Sequence, residues 1–388
     1  MPLRLSSSNA ELVIKGHDTK TRLEANTADI YSKLSGNMQD TKKSLPDGIT
    51  NVVKFAPGET SRVFSILKNY SGSPKLGREQ LLGTGIDQEL KELKVFANQV
   101  SKVFTGERWG YDAHEKEYLK LLEKIQPQGS KYMSEIRGMY AREALLERYA
   151  SNLLVAPTSQ TKRWNENILF KNLSLSSQPA YSNTNATYET NISNAGTTAG
   201  ATADWDQDFL DAMISWAIEK NIEPMDDGMY VVTCPSRQAI ALRRSLRDTY
   251  KDSNYAEASK NAFTGYLGDY ANKLKIYEDF RSPVVGDSAG NITAYYKGAG
   301  DTDDRISASG TLYDVGFLHG KGALTKAYYE DVHWEIEETE FRKYLEWCVT
   351  EGCGYQRTVF DNIGNESASS ALNNSSIALF ARRQTIVS

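Results

Sequence analysis

The stretch of residues 172–203 constrains the fold of this chain more than any other segment. It reads NLSLSSQPAYSNTNATYETNISNAGTTAGATA, with Glu189 as its one acidic residue and no basic residue. Such a polar segment buries little apolar surface of its own, while Tyr181 and Tyr188 are spaced widely enough for a long two-stranded excursion. We therefore predict an extended loop here that needs a partner surface.

Length sets the expected number of packed units. The chain has 388 residues, beyond the roughly 250–300 at which one hydrophobic core stops growing, so we expect two or more units. The 22 Tyr, 12 Phe and 6 Trp, with 45 basic and 50 acidic residues, indicate a folded chain rather than a disordered one. Because tyrosine joins a large apolar ring to a polar tip, we expect part of this aromatic surface at contacts between chains.

Composition and charge exclude several classes of protein. No stretch approaches the roughly 18 apolar residues of a membrane span, and the N-terminus lacks the apolar core of a signal peptide, so we expect a cytoplasmic chain with no membrane partner. The three cysteines are too few for a disulfide framework. A net charge of −5 argues against a dedicated nucleic-acid binder. Charge is uneven, however: residues 1–160 carry 23 basic and 19 acidic groups, and residues 161–388 carry 22 and 31.

Hydrophobic periodicity predicts mixed secondary structure. Helical spacing of apolar residues predicts helices over 86–104, 112–125, 132–154 and 204–221. Short apolar or alternating runs predict strands over 229–234, 273–279, 293–296, 311–318, 331–338 and 375–383. Pro235 is expected to open a further helix. Residues 1–80 show no sustained periodicity, and we expect only short elements there.

The sequence carries no clear signature of catalysis or of a cofactor. The segment from Gly316 to Gly322 lacks the spacing and the final Ser or Thr of a phosphate-binding loop, and no GxGxxG motif follows a strand. Cys348 and Cys353 have no second ligand pair, and the four histidines never fall at the i, i+4 spacing of a metal-binding helix. We predict no catalytic residue, no cofactor, no metal site and no enzyme activity.

Acidic charge is densest between Glu330 and Glu340, where six residues are Asp or Glu. On a strand, Glu335 and Glu337 lie on one face, about 6.6 Å apart along the strand. This separation is compatible with the paired carboxylates that catalyse glycoside hydrolysis. The alternative is a strand edge that faces solvent or another subunit. An arginine-rich helix is its expected counter-charge, within one chain or between chains. The predicted subunit-contact residues are Tyr181, Tyr188, Glu330, Glu335, Glu337, Glu338, Arg243, Arg244 and Arg247.

Several segments within about residues 145–388 carry a family resemblance. They read YASNLLVAPTSQTKRWNENILFKNLSL, FLDAMISWAIEKN, GMYVVTCPSRQAIALRRSL, GYLGDYANKLKIYEDFRSPVV, TLYDVGFLHGKGALTK, GYQRTVFDN and SSIALFARR. In this order they resemble the major capsid protein of tailed bacteriophages, which has the Hong Kong 97 fold, and within that family the coat proteins of short-tailed phages. The resemblance implies an α+β fold with an N-terminal arm, an extended loop, a peripheral domain with a spine helix, and an axial domain.

The resemblance also implies a division of the chain. It assigns an arm with a helical extension to 1–130, an N-arm helix and lead-in to 131–168, the extended loop to 169–204, the peripheral domain to 205–228 and 325–388, and the axial domain to 229–324. The spine helix is placed at 205–221.

The function that the resemblance implies is a coat protein that self-assembles as pentamers and hexamers into an icosahedral shell. The shell would be assembled in the host cytoplasm, be located in the virion and enclose double-stranded DNA bound without sequence preference. Scaffolding, portal or decoration proteins are further expected partners. Two alternatives stay open: a carbohydrate-active hydrolase that uses carboxylates of residues 330–340, and a tail or decoration protein of a virion.

Some members of the family join a lysine of the extended loop covalently to an asparagine of a neighbouring subunit. Here Lys171 lies at the base of the predicted loop and Lys220 after the following helix, with no lysine between them. Asn362, Asn365 and Glu366 would be available as acceptors and acid. Because the nucleophile is missing, we predict that subunits are not cross-linked.

Overall fold

The computed structural model of the chain consists of two main sheets that meet along one long helix. It describes single positions 20, 21, 24 and 31 and residues 35–37, 48–56, 61–67, 90–96, 98–107, 114–149, 162–182, 184–200, 204–245, 266–298, 303–338, 344–357, 359–362 and 373–383.

The described helices and strands follow one another in mixed order along the chain. The helices are α1 His114–Leu146, α2 Asn185–Thr198, α3 Gln207–Glu219 and α4 Ser236–Ser245. The strands are β1 Ser35–Asn37, β2 Thr50–Lys54, β3 Ser61–Leu67, β4 Leu90–Phe96, β5 Asn98–Glu107, β6 Glu147–Tyr149, β7 Lys162–Trp164, β8 Ile168–Phe170, β9 Tyr230–Pro235, β10 Tyr266–Tyr270, β11 Leu274–Asp279, β12 Val284–Ser288, β13 Asn291–Tyr295, β14 Thr311–His319, β15 Leu324–Glu338, β16 Tyr344–Arg357, β17 Val359–Asn362, β18 Asn373–Asn374 and β19 Ser376–Arg382.

An eight-stranded mixed sheet has β14 as its central strand. The first half of β14 pairs with β12 and its second half with β9, while β19 pairs along β14 from Tyr313 to His319. Strands β10 and β11 continue the sheet beyond β9, β13 lies beside β12, and β8 lies beside β19. Because successive side chains of a strand point to opposite faces, Val231 and Val232 enter two different cores.

Helices cover both faces of this sheet. On one face, α2 and the C-terminal half of α1 pack against Phe170, Phe317 and Phe380. On the other face, α3 and α4 pack against Val232 and other strand residues. The central strands β9, β14 and β19 are therefore buried on both sides, which explains why their sequences are largely apolar rather than alternating.

A five-stranded sheet has the order β1-β2-β15-β16-β5. The long strands β15 and β16 are antiparallel, and α1 lies against them. Gly129 makes that approach possible, because a Cβ at this position would overlap the indole ring of Trp334. The indole Nε1 of Trp334 donates to Thr21 Oγ1 at 3.0 Å. Strands β18, β17, β4 and β3 form a separate sheet, and β6 pairs with β7.

Several predicted strands and one predicted helix are confirmed. Strands β9, β11, β13, β14, β15 and β19 fall where the apolar runs predict them. Helix α3 also forms as predicted, and the side chain of its N-cap residue Asp206 accepts from the backbone N–H of Phe209 at 2.9 Å. Helix α4 begins directly after Pro235.

The predicted helix at 86–104 is wrong. Residues 90–96 and 98–107 are strands β4 and β5, which pair with β3 and β16 respectively. The apolar residues of this segment fit a helical spacing, but pairing with strands far away in sequence overrides that local pattern. Within the predicted arm of residues 1–130, the described strands β2 and β5 belong to the five-stranded sheet, since β2 pairs with β15 and β5 with β16.

The two helices predicted at 112–125 and 132–154 are one helix, α1, which continues through Pro127 and ends at Leu146. Proline removes one hydrogen bond from a helix interior. Packing of α1 on β15 and β16 offsets this loss, so the helix continues where local propensity predicts a break.

The extended-loop prediction for residues 169–204 also needs correction. Residues 185–198 form helix α2, and Tyr188 and Ile192 are buried in the core of their own chain. The four-residue spacing of these two side chains places them on one helix face, which the abundance of Ser, Thr and Asn conceals. Residues 204–206 immediately precede α3.

The predicted domain boundaries cut through one packed unit. They place α3 in a peripheral domain and β9 in an axial domain, yet Met213 of α3 packs in the same cluster as Val232 of β9. Strand β19, assigned to the peripheral domain, is part of the same eight-stranded sheet as β9 and β14. Helix α3 lies within the range 205–221 predicted for the spine helix and packs on the eight-stranded sheet, whereas the longer α1 contacts β15 and β16. Within the described part of the chain, none of the helices is both long and apolar enough to span a bilayer.

Candidate functional site

Helix α1 carries a buried charge network that ties it to the five-stranded sheet. Arg137 of α1 donates to both carboxylate oxygens of Glu351 on β16, from Nε and Nη2 at 2.7 Å each, and Lys326 Nζ on β15 donates to the same carboxylate at 2.9 Å. Burial alone would raise the pKa of Glu351, but the charges and hydrogen bonds of Lys326 and Arg137 outweigh it and lower the pKa to about 2. Glu351 is therefore ionised at neutral pH.

A second buried pair ties α1 to the eight-stranded sheet. Arg142 donates from Nε and Nη2 to the two oxygens of Asp279 at 2.7 Å each. Burial raises the pKa of Asp279, and the guanidinium of Arg142 more than compensates, so the pKa lies below its usual value. Arg281, two residues further on, pairs with Glu135 of α1. The turn that follows β11 is thus attached to α1 at two points.

The C-terminal end of α1 is held by a third buried group. Arg357 of β16 donates from Nη2 to Glu166 at 2.7 Å and from Nη1 to the carbonyl of Leu145 at 3.0 Å. Asn165 Nδ2 donates to the same carbonyl at 2.8 Å. These bonds satisfy a carbonyl that the end of the helix leaves without an intrahelical partner. Together the three networks fix α1 between the two sheets.

A turn with an exposed aromatic side chain lies beside this junction. Phe280 stands between Asp279 and Arg281 and is 69% exposed. Arg305 Nη1 donates to the carbonyls of Phe280 and Ser282 at 3.3 and 3.0 Å, and its Nε and Nη2 donate to Asp303. The backbone that carries Phe280 is therefore held in place by hydrogen bonds, although its side chain faces solvent.

Phe280 lies at the edge of a groove of about 390 Å³ between the ends of β9, β12 and β14. Ile306, on a short 3-10 turn of residues 304–306, lies at the same groove and is 86% exposed. The charged residues that line it are Arg237, Arg305, Arg383, Asp303 and Asp314. Burial raises the pKa of Asp314 above its usual value, although Arg383 and Gln238 oppose this shift. We call this feature the Phe280 groove.

The two tyrosines predicted as subunit contacts lie against their own chain. Tyr188 is 1% exposed, and its hydroxyl donates to the carbonyl of Asn165 at 2.8 Å. Its prediction as a subunit contact is therefore wrong. Tyr181 is half-buried and packs edge-on against Tyr188, with ring centroids 5.2 Å apart. Both rings belong to the core that α2 closes.

The arginines of α4 do not all have the predicted counter-charge. Arg243 pairs within the chain with Glu278 of β11 at 2.8 Å rather than with the acidic strand. Arg244 is exposed on the last turn of α4, where a cation also favours the helix dipole. Arg247 lies outside the described residues.

The acidic strand is confirmed as a strand. Glu335, Glu337 and Glu338 lie on β15 opposite Cys348, Glu346 and Leu345 of β16. Glu330 is partly exposed and lies 3.8 Å from the imidazole of His333. Within the described parts of the chain, no three His, Cys, Asp or Glu side chains are grouped closely enough to hold a metal ion.

Comparison with solved structures identifies the fold. The capsid structure of Helicobacter pylori bacteriophage KHP30 superposes with a TM-score of 0.58 at 13% identity, and covers 92% of this chain and 91% of that chain. The head structure of Helicobacter pylori bacteriophage KHP40 gives 0.59 at 11% identity with the same coverage. The chain has a phage capsid fold. This confirms the predicted α+β fold of the Hong Kong 97 type.

The chain is also similar to the capsid of Ralstonia phage GP4. The two superpose with a TM-score of 0.51 at 16% identity, and the match covers 88% of this chain and 89% of that chain. No protein-family profile matches the sequence. A search of curated proteins finds no matching relative. The capsid fold of this chain is therefore recognised through its three-dimensional structure.

Sequence reasoning missed the groove and the α1 networks. Phe280 is a lone aromatic within the polar run EDFRS, a weak signal for an exposed turn. Arg137 and Glu351 are 214 positions apart, so no local pattern connects them.

Proposed function

We propose that this protein is the major capsid protein of a tailed bacteriophage and that many copies assemble into an icosahedral shell. The observation that carries the proposal is the likeness to phage capsid chains over about nine-tenths of both partners. A match of such length extends far beyond one common motif. The proposed role is structural, and it requires no reacting group.

The arrangement around α1 supports this role. A shell subunit transmits load from its neighbours, and a helix fixed by bidentate Arg–carboxylate pairs to two sheets resists displacement of one sheet against the other. Such pairs specify geometry more than they add net stability. Identical subunits can form a regular shell only if each has the same shape, and a fixed angle between the two sheets provides this.

Packaged DNA is the partner that we propose for the inner face. Residues 1–160 carry a small excess of basic groups, 23 against 19, whereas the rest of the chain is acidic. Binding is expected to be weak, independent of sequence and strongly reduced by salt, because it rests on phosphate contacts. Scaffolding, portal and decoration proteins are further proposed partners.

Expression of the chain alone and negative-stain microscopy of the purified product test the proposal. Closed particles or ring-shaped capsomers are the expected result. A monomer at all concentrations, or a monomer that hydrolyses glycosides, would contradict it. A subunit that needs a scaffolding protein assembles poorly alone, so the experiment is repeated at high protein concentration with a crowding polymer, which favours assembly.

A further inference from the structure

We propose that Gln178 limits which surfaces of this chain can join two copies, because its side chain closes the free edge of the eight-stranded sheet at β8. The inference goes beyond the proposed function and does not depend on it, since it concerns the single folded subunit.

Strand β8 lies at an edge of the eight-stranded sheet. Among the described strands its one partner is β19, with which it pairs in parallel. Its three residues, Ile168, Leu169 and Phe170, are apolar and buried. A strand of another chain can add to an apolar edge strand, so folded proteins block such edges.

Hydrogen bonds at the two ends of β8 show which of its backbone groups face outwards. The carbonyl of Asn167 accepts from the N–H of Ala378 at 2.9 Å. The N–H of Lys171 donates to the carbonyl of Phe380, also at 2.9 Å. Successive residues of a strand direct their backbone groups to opposite sides, so Phe170 directs its N–H and its carbonyl away from β19, to the free edge.

The side chain of Gln178 bonds to both of these groups. Its Oε1 accepts from the N–H of Phe170 at 2.7 Å, and its Nε2 donates to the carbonyl of Phe170 at 3.2 Å. A residue of an antiparallel neighbouring strand would make the same pair of bonds with Phe170. The amide of Gln178 therefore takes the place of a strand at the free edge of β8.

The segment after β8 holds Gln178 in this position. The chain turns at Asn172, whose φ of 69° lies in the left-handed region that asparagine tolerates better than most residues. The Nε2 of Gln178 lies 3.2 Å from the carbonyl of Leu173 as well. Lys171 is paired with Asp206 at 2.6 Å, which fixes the start of the turn. The edge is thus closed by the chain's own fold.

An open edge would weaken the specificity of self-association. Pairing between strand edges rests on main-chain hydrogen bonds, which every chain can offer, so an open edge discriminates poorly between partners. With the edge of β8 closed, copies of the chain join through other surfaces. Gln178 is in this sense a residue that determines specificity.

Two substitutions of Gln178 separate edge closure from a purely structural role. Gln178→Met keeps a side chain of similar length and removes both bonds to Phe170. Gln178→Glu keeps an acceptor for the N–H of Phe170, lacks a donor for its carbonyl, and places a negative charge at the edge, which opposes strand addition. Gln128→Met is the matched control, because Gln128 is exposed on α1.

Sedimentation of dilute, unassembled subunits measures self-association. We expect Gln178→Met to associate with its own copies with a dissociation constant about tenfold lower than that of the original chain. Gln178→Glu and Gln128→Met should sediment as the original chain does. Hydrogen exchange at the amide of Phe170 should be about tenfold faster in monomeric Gln178→Met than in the original chain. Urea unfolding compares the stability of the two Gln178 variants.

The contrast between the two Gln178 variants decides the inference. Self-association of Gln178→Met, without that of Gln178→Glu, would support it. Sedimentation of Gln178→Met like that of the original chain would overturn it. Self-association of both variants in proportion to their loss of stability would overturn it too, because a purely structural role predicts that result. None of these measurements requires a shell, so their outcome is independent of the proposed function.

Discussion

Replacement of Glu351 by glutamine should destabilise the subunit strongly. Its carboxylate is 3% exposed and accepts from Arg137 and Lys326 at 2.7 and 2.9 Å. Removing its charge leaves the two buried cations without the carboxylate that they share, and breaking a buried pair in this way costs about 3–5 kcal/mol. The pKa gives a consistent figure. A shift from 4.5 to about 2 corresponds to about 3 kcal/mol of stability at neutral pH.

The sign of this shift defines the pH window. The pKa of Glu351 is lower in the folded chain than in the unfolded one, so its contribution is complete above about pH 5 and is lost as the pH falls towards 2. Urea unfolding of unassembled subunits at several pH values measures this dependence. We expect Glu351→Gln to lose about 3 kcal/mol at pH 7 and to show a flatter pH dependence between 5 and 2 than the original chain.

A matched control separates charge from packing. The triple variant Glu351→Leu, Arg137→Met and Lys326→Met removes all three charges together, and apolar replacements of buried ion pairs are often neutral or stabilising. It should recover most of the stability that Glu351→Gln loses. A loss below 1 kcal/mol in Glu351→Gln, or a triple variant as unstable as the single one, would refute the reasoning.

Four further predictions follow from individual contacts. Burial lowers the pKa of His319 to about 3, so the unmodified chain should lose stability as the pH falls below 6.5. His319→Phe should flatten the pH dependence of the free energy of unfolding between pH 6.5 and 4.5, and equal pH dependence of the two chains in urea unfolding would contradict this. Gly129→Ala should cost about 1–3 kcal/mol in urea, because the new Cβ overlaps Trp334, and an unchanged midpoint would refute the close packing. Tyr188→Phe should lower the free energy of unfolding by about 1–2 kcal/mol, because it removes a buried hydrogen bond of 2.8 Å; calorimetry that shows no change would contradict the assigned bond. Particles boiled in SDS should release one band near 43.3 kDa, because Lys171 is paired with Asp206 at 2.6 Å and no lysine lies between Lys171 and Lys220; a ladder of multiples would show cross-linking.

The sequence correctly predicted the helices and strands whose buried residues form a clear local pattern of apolar side chains. Strand β9 reads as an apolar run because both of its faces are covered, and α3 has an aspartate cap and an apolar stripe. The α+β class followed from such elements. The resemblance to the capsid family rests on their order, and the three-dimensional comparison confirms that fold.

The elements that were missed depend on distant partners. Strands β4 and β5 resemble a helix in spacing, and their pairing with β3 and β16 decides the outcome. Glu189 is the one charged residue of helix α2, and the helix has no long apolar stripe. Its three core side chains, Tyr188, Ile192 and Ala195, therefore give a weak signal in the sequence. Its Glu189 accepts from the indole of Trp164 at 2.9 Å, a contact that sequence spacing does not reveal.

For the candidate site, the sequence indicated which types of charged residue are present but not which residues they contact. The acidic run and the arginines of α4 were recognisable in the sequence, yet Arg243 pairs with Glu278, which no spacing rule links to it. Phe280 and Ile306 are brought to one groove by the turns after β11 and before β14. Exposure is a property of the folded chain, so the sequence does not distinguish these side chains from core residues.

Cryo-electron microscopy of the assembled protein tests the central claim most directly. The claim predicts closed shells with icosahedral symmetry, in which every subunit density accommodates α1 between the five-stranded and eight-stranded sheets. Particles without that symmetry, a tail-like or fibrous assembly, or a subunit density that the fold does not fit would contradict it.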